Sequence, residues 1–179
     1  MRKQKKAERY AWSLICLHWV VAVLVIPLVS LSFFLEDLPR TFRLTAIMLH
    51  KSFGLTLLIL MVIRLGCLYK CGRPALPANM PRWEMLFARL VQIGLYGALI
   101  AMSMIGWIMS MLANHTPVWF GMVALPLPGV APNATWADIF FQIHQTIAWI
   151  LIVLIGLHVA GALKHVIIDR DKVMESMLP

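Results

Sequence analysis

Ile139-Phe-Phe-Gln-Ile-His144-Gln-Thr-Ile-Ala-Trp-Ile-Leu-Ile-Val-Leu-Ile-Gly-Leu-His158-Val-Ala-Gly-Ala-Leu163 contains no Asp, Glu, Lys or Arg. A hydrocarbon core about 30 Å thick takes about 20 apolar residues in a helix. The stretch therefore reads as a membrane span, continuing to about Ile168. Three more stretches qualify. Tyr10 to Leu35 is uncharged, the run from Phe42 to Leu68 is interrupted in its interior by Lys51 and Arg64, and Leu90 to Ala113 is uncharged. Of the 179 residues 61% are apolar and 13% charged, with a mean hydropathy of +0.81. A soluble domain carries about a quarter charged residues. The expectation is an all-α polytopic membrane protein, a four-transmembrane-helix bundle. It forms one domain over 1–179, with spans at about 10–35, 42–68, 88–113 and 137–168. Backbone groups in lipid must bond internally, and these lengths suit helices rather than barrel strands.

The formal charge of +8 does not point to nucleic acid, because the basic residues lie between apolar runs rather than on one face. They orient the chain instead. Arg2, Lys3, Lys5, Lys6, Arg9, Lys70, Arg73, Arg82, Arg89, Lys164, Arg170 and Lys172 fall on one side, twelve against Arg40 and Arg43 on the other. Both termini are expected in the cytoplasm, with the other two connections facing the periplasm of a bacterial inner membrane. The first run is too long for a signal peptide and lacks a small-x-small cleavage site before Glu36-Asp37. Pro27 should kink the first helix, and Val118-Trp119-Phe120 should lie in the interface, where Trp is favoured.

Five of the six histidines, His18, His50, His144, His158 and His165, fall in or at the end of a span; His115 lies in the third connection and reads as solvated. Ionisable residues in a span are costly and face a bundle interior or a cofactor, although one alone can serve as a helix–helix hydrogen-bond donor. Depth sorts four of them. His18 and His158 belong to the cytoplasmic leaflet, His50 and His144 to the outer one. His144 and His158 are fourteen residues apart, nearly four turns, so they share a face about 21 Å apart along the axis. One helix thus offers a ligand to each of two stacked sites, and the first and second helices supply the partners. Two histidines on facing helices suit the axial positions of haem iron. Zinc asks for about four ligands per site. The absence of C-x-x-C-H makes the haem non-covalent, b-type. Gly54, Gly106, Gly156 and Gly161 are small neighbours for a flat macrocycle, or plain helix-packing positions.

Leu17-His18-Trp19, Leu49-His50-Lys51-Ser52-Phe53-Gly54, His144 with Trp149, and Gly156-Leu157-His158 through Ala162-Leu163-Lys164-His165 resemble the bacterial cytochrome b561 family over essentially the whole chain. The resemblance implies two b haems on the same four histidines and electron exchange with ubiquinone as an exchangeable substrate. In some members it also implies oxidation of superoxide to dioxygen. It places quinone contact at His165, two turns beyond His158, where an imidazole could also carry the quinone's proton. Members of the family this chain resembles often carry Lys in the proline-rich inner loop near the quinone; Pro74 to Pro81 has none here and is only flanked by Arg73 and Arg82.

Arg64 is a candidate partner for a propionate of the inner haem, or a snorkelling interfacial cation. Arg40, Arg43 and Lys51 could steer a small anion such as superoxide toward the outer haem, or be ordinary solvated and headgroup-facing cations. Cys16, Cys67 and Cys71 are expected reduced, without metal. Two other functions fit the same histidines: a membrane-anchor cytochrome subunit relaying electrons for a partner dehydrogenase, and a haem-free proton or metal carrier.

Overall fold

The computed structural model describes residues 9–35, 37–75 and 80–179. The basic tail at 1–8, Glu36 and the middle of the Pro74–Pro81 loop lie outside the described residues. Four long helices run in sequence: α1 (Trp12–Ser32), α2 (Arg40–Cys71), α3 (Arg82–Leu112) and α4 (Ala134–Lys164). A π-helical turn, His165–Asp169, continues α4, and a short 3-10 turn spans Glu175–Met177. All four helices are long and apolar enough to cross a membrane. The chain is a multi-pass helical membrane protein.

Helix starts follow local chemistry. Pro39 and Pro81 stand immediately before α2 and α3, where a missing N–H costs nothing. Asn133 caps α4 by accepting from the Trp136 amide at 3.1 Å. Gly72, at φ 71, ends α2 while its amide still bonds the Leu68 carbonyl. α1 runs unbroken through Pro27. α2 and α3 have 32 and 31 residues, roughly 46–48 Å of rise against a core of about 30 Å. Both therefore outrun their apolar stretches, α2 at both ends and α3 at its start, because the polar ends remain good helix formers.

The lipid-facing surface is apolar. Val23, Ile26, Val62, Trp149 and Val153 are all about 60% exposed or more, apart from Val62 at 58%; a soluble monomer rarely shows an apolar surface of this extent. Inside, Val21, Val25, Leu57, Met61, Leu99 and Leu151 form one cluster drawn from all four helices. Val25, Leu57 and Leu151 each stand seven residues from a histidine on their own helix, so they share its face one layer away.

α3 packs along α4, α2 against α3, and α1 against α2. The backbones of α1 and α4, and of α2 and α4, have no such extended contact. The ends differ. Both described termini meet at one, which we call the terminal end: the Arg9 side chain donates to the Leu178 carbonyl. At the opposite, loop end, Val118–Trp119 pairs antiparallel with Val123–Ala124. The Val118–Phe120 stretch, expected simply to lie in the interface, is the first strand and tip of this hairpin, tied down on α2. Ser52 Oγ accepts from the Phe120 amide at 2.9 Å, and Trp119 Nε1 donates to Thr56 Oγ1 at 3.1 Å. Phe120 sits at φ 47 with its ring edge-on to Phe53, centroids 5.1 Å apart.

Candidate haem sites

Each membrane histidine sits on a different stretch of helix, and the fold brings them together in two pairs. At the loop end, His50 of α2 faces His144 of α4, ring centroids 6.4 Å apart and planes at 70°. At the terminal end, His18 of α1 faces His158 of α4, 5.9 Å apart and at 71°. The depth pairing read from the sequence is the pairing in space. Leu151 lies between the two pairs, 2% exposed and seven residues from each α4 histidine.

These separations can be tested against a shared metal. Two in-line metal–imidazole bonds of about 2.0–2.1 Å, plus the two ring radii, put the centroids about 6.3 Å apart. The loop-end pair, at 6.4 Å, is close to that span, and the terminal-end pair, at 5.9 Å, is shorter than it. Each pair also joins two helices whose backbones are not packed along each other. Nδ1 of His50 is buried with no hydrogen-bond partner among the described residues. Nδ1 of His144 likewise makes no bond of ordinary geometry, although the Met102 backbone lies alongside its ring. Buried polar nitrogens without partners are costly, and an extra group in the site relieves that cost. A Cβ added at Gly106 would stand 3.1 Å from His144 Cε1, so α3 supports that ring through a residue with no side chain. At Gly54, Gly156 and Gly161 an added Cβ meets nothing within 4 Å; these three do not serve close helix packing. Imidazoles opposed in pairs and flanked by small residues fit a flat iron macrocycle, and two per site are fewer than the four ligands of a zinc site.

Arg64, two turns beyond Leu57, reaches the terminal-end pair. Its Nη2 lies 3.3 Å from His18 Nδ1, and its guanidinium stands over the Tyr96 ring at 5.1 Å. Nε is buried and unpartnered, and no carboxylate pairs with Arg64 among the described residues. A half-buried guanidinium in that position can bond a carboxylate ligand in a fork.

His165 is not solvated. It is 7% exposed, its Nδ1 lies 2.8 Å from Asp171 and 3.2 Å from Asp169, and its Nε2 is 4.0 Å from Glu84. Lys164 Nζ sits 2.6 Å from both Glu84 and Asp169, already filling the cation position among these carboxylates. Sequence reading missed this cluster. Its one signal was Glu84, the single acidic residue of α3; the π-helical turn that swings Asp169 and Asp171 back had none.

At the loop end, Arg40 is exposed. Arg43 donates through Nε and Nη2 to the Leu38 carbonyl at 3.2 and 3.0 Å. Lys51 is half-buried beside His50. His115 is exposed, with its ring nitrogen against the Ala113 carbonyl. Cys16, Cys67 and Cys71 are free thiols.

Known proteins are similar to this chain over nearly its whole length. Escherichia coli cytochrome b561 homolog 2 is 30% identical over 96% of this chain and 92% of its own length. Cytochrome b561 homolog 1 of the same organism is 27% identical over 96% and 98%. A Yersinia pestis protein described as probable superoxide oxidase CybB is 28% identical over 96% and 97%. Residues 9–179 match the prokaryotic cytochrome b561 family. With four apolar spans and opposed histidines in a membrane bundle, the chain belongs to that family of b-type haem membrane electron-transfer proteins.

Proposed function

We propose that this chain is a di-haem b cytochrome of the bacterial inner membrane, passing electrons between the periplasmic side and the ubiquinone pool. In this reading both termini are cytoplasmic, in keeping with the positive-inside bias. His50 and His144 hold the outer haem, His18 and His158 the inner one. The observation that carries the reading is that the fold sets two histidines of different helices against each other at each of two levels, ring centroids 6.4 and 5.9 Å apart.

A b haem held in this way supplies one-electron iron chemistry, its potential tuned by axial ligands and burial. The chain's own residues do the rest. α4 fixes one imidazole of each pair about 21 Å apart along its axis. The layer of Val25, Leu57, Leu99 and Leu151 excludes water between them. Arg64 binds an inner-haem propionate. His165 is the quinone-facing group: its Nδ1–H donates to Asp171, and Nε2 is the nitrogen left to carry the proton that a quinone carbonyl accepts. Superoxide is the proposed donor, with dioxygen as product and ubiquinone as acceptor. The support for it is the relative described as a probable superoxide oxidase, with Arg40, Arg43 and Lys51 as the cations that would draw the anion in.

The test begins with a reduced-minus-oxidised spectrum and a pyridine haemochrome assay of the purified protein, with two b haems per chain expected. One haem means that one pair does not ligate; none refutes the reading. Ubiquinone reduction driven by a superoxide source follows. Quinol formation abolished by superoxide dismutase is the expected result, and dismutase-insensitive or absent reduction removes superoxide as donor. Co-purification of a soluble dehydrogenase favours the anchor-subunit role instead.

A further inference from the structure

α1 and α4 carry the terminal-end histidines, yet their backbones do not pack along each other. Side chains of α1 and α4 meet in the core through Val21, Val25 and Leu151, and ties outside the helices add to what fixes the distance and rotation of the two rings. The residues after α4 reach across. Arg170, in the left-handed region at φ 50, turns the chain back under the bundle. Three successive carbonyls then accept from α1 and the two residues leading into it. The Tyr10 amide donates to Ser176 at 3.2 Å, Trp19 Nε1 to Met177 at 2.9 Å, and Arg9 Nη2 to Leu178 at 2.6 Å. Ser176 is buried, at 8% exposure. Tyr10 and Trp19 are nine residues apart, so the two anchors resist both sliding and rotation of α1. Trp19 also follows His18 directly and meets its ring edge-on, centroids 5.5 Å apart at 72°. A continuous path therefore runs from His18 through Trp19 and Met177 back along the chain to α4 and His158.

We propose that residues 173–179 are a latch that sets His18 against His158, with Trp19 as its positioning residue. The inference rests on the reading of these two histidines as one ligand pair. All three bonds end on backbone carbonyls, so the latch depends on donors in and before α1 rather than on the side chains at 176–178.

The experiment uses the full-length haem-loaded protein in detergent with Trp19→Phe, Arg9→Ala and a chain ending at Lys172, beside His18→Ala and His50→Ala as assignment variants. Low-temperature EPR of the oxidised protein reads each low-spin site, and the two histidine variants assign the signals. The latch variants should shift or abolish the signal that His18→Ala removes and leave the one that His50→Ala removes. Arg9→Ala and the shortened chain keep the Trp19–His18 ring contact, so a shift in them is not a direct ring effect. Trypsin cleavage after Arg170 or Lys172 gives a haem-independent readout and should be faster in Trp19→Phe and Arg9→Ala than in the parent. Faster cleavage with an unshifted signal overturns the latch, because the segment then ties the surface without positioning the histidine. Unchanged cleavage with an unshifted signal overturns it too. If His18→Ala leaves both signals in place, the ligand reading itself fails and the latch with it. If His18→Ala removes one signal that the latch variants leave unmoved, the latch alone falls.

Discussion

Leu151→Ala tests whether the layer between the two histidine pairs is close-packed. Leu151 is 2% exposed and packs with Val21, Val25, Leu57, Met61 and Leu99. Truncation removes about 80 Å³ of side chain, which at about 24 cal/mol per Å³ of remaining cavity costs about 2 kcal/mol. In a soluble core the lost transfer from water raises such penalties to about 2.7–5.0 kcal/mol. Here the separated helices still face lipid, which is as apolar as the core, so most of the transfer contribution drops out. The expected loss is therefore about 2 kcal/mol. Reversible unfolding in mixed micelles of rising SDS fraction, followed by far-UV circular dichroism, measures it. Val153→Ala, at a position 60% exposed on the lipid side, should stay within about 0.5 kcal/mol of the parent. A loss at Leu151 no larger than at Val153 refutes close packing between the sites. A loss near 4 kcal/mol refutes the argument that lipid is the reference solvent.

His144→Ala should halve the haem content in a pyridine haemochrome assay, whereas His115→Ala, outside both pairs, should leave it unchanged; equal content in both variants would dissolve the outer pair. Ser52→Ala removes a fully buried acceptor from the Phe120 amide, a loss of about 1–3 kcal/mol. Amide exchange at Phe120 should accelerate by an order of magnitude while the helix interiors hold, and unchanged exchange would mean that the hairpin is fixed by its rings alone. His165→Gln should slow ubiquinone reduction by on the order of 10²-fold, as loss of a proton-transfer group does, with haem content intact. A loss of haem in step with activity would mark His165 as structural.

The fold was legible because the membrane demands so much of the sequence. Uncharged runs such as Tyr10–Leu35 admit only a spanning helix, and the fourteen-residue interval from His144 to His158 can present both rings on one face only if the segment is helical. The helix ends were less legible: α2 and α3 extend into polar sequence around Arg40, Lys70, Arg82 and Glu84, where hydropathy falls but helix propensity does not. The pairing of four histidines followed from depth alone. The surroundings of His165 did not, because a π-helical turn moves Asp169 and Asp171 off the positions an α-helix would give them. The bond from Trp19 to Met177 was equally hidden, since a backbone carbonyl accepts whatever side chain its residue carries.

The helix without a histidine explains the arrangement of the others. α3 packs along α4, and its Gly106 backbone lies against the His144 ring, so the helix bearing two of the four rings is braced along its length. α1 and α2 then approach α4 chiefly through side chains, each contributing one ring. Holding α4 rigid and leaving its other sides without extended backbone packing meets two demands together. It keeps two opposed pairs in register about 21 Å apart on one rod, and it keeps the α1 and α2 backbones at a distance that a pair of imidazoles spans. Close packing of all four helices would meet the first demand and defeat the second. The ties at the two ends answer the cost of that choice. The hairpin fastens to α2 near His50 at one end and residues 176–178 fasten to α1 near His18 at the other, each beside the histidine that α3 does not support.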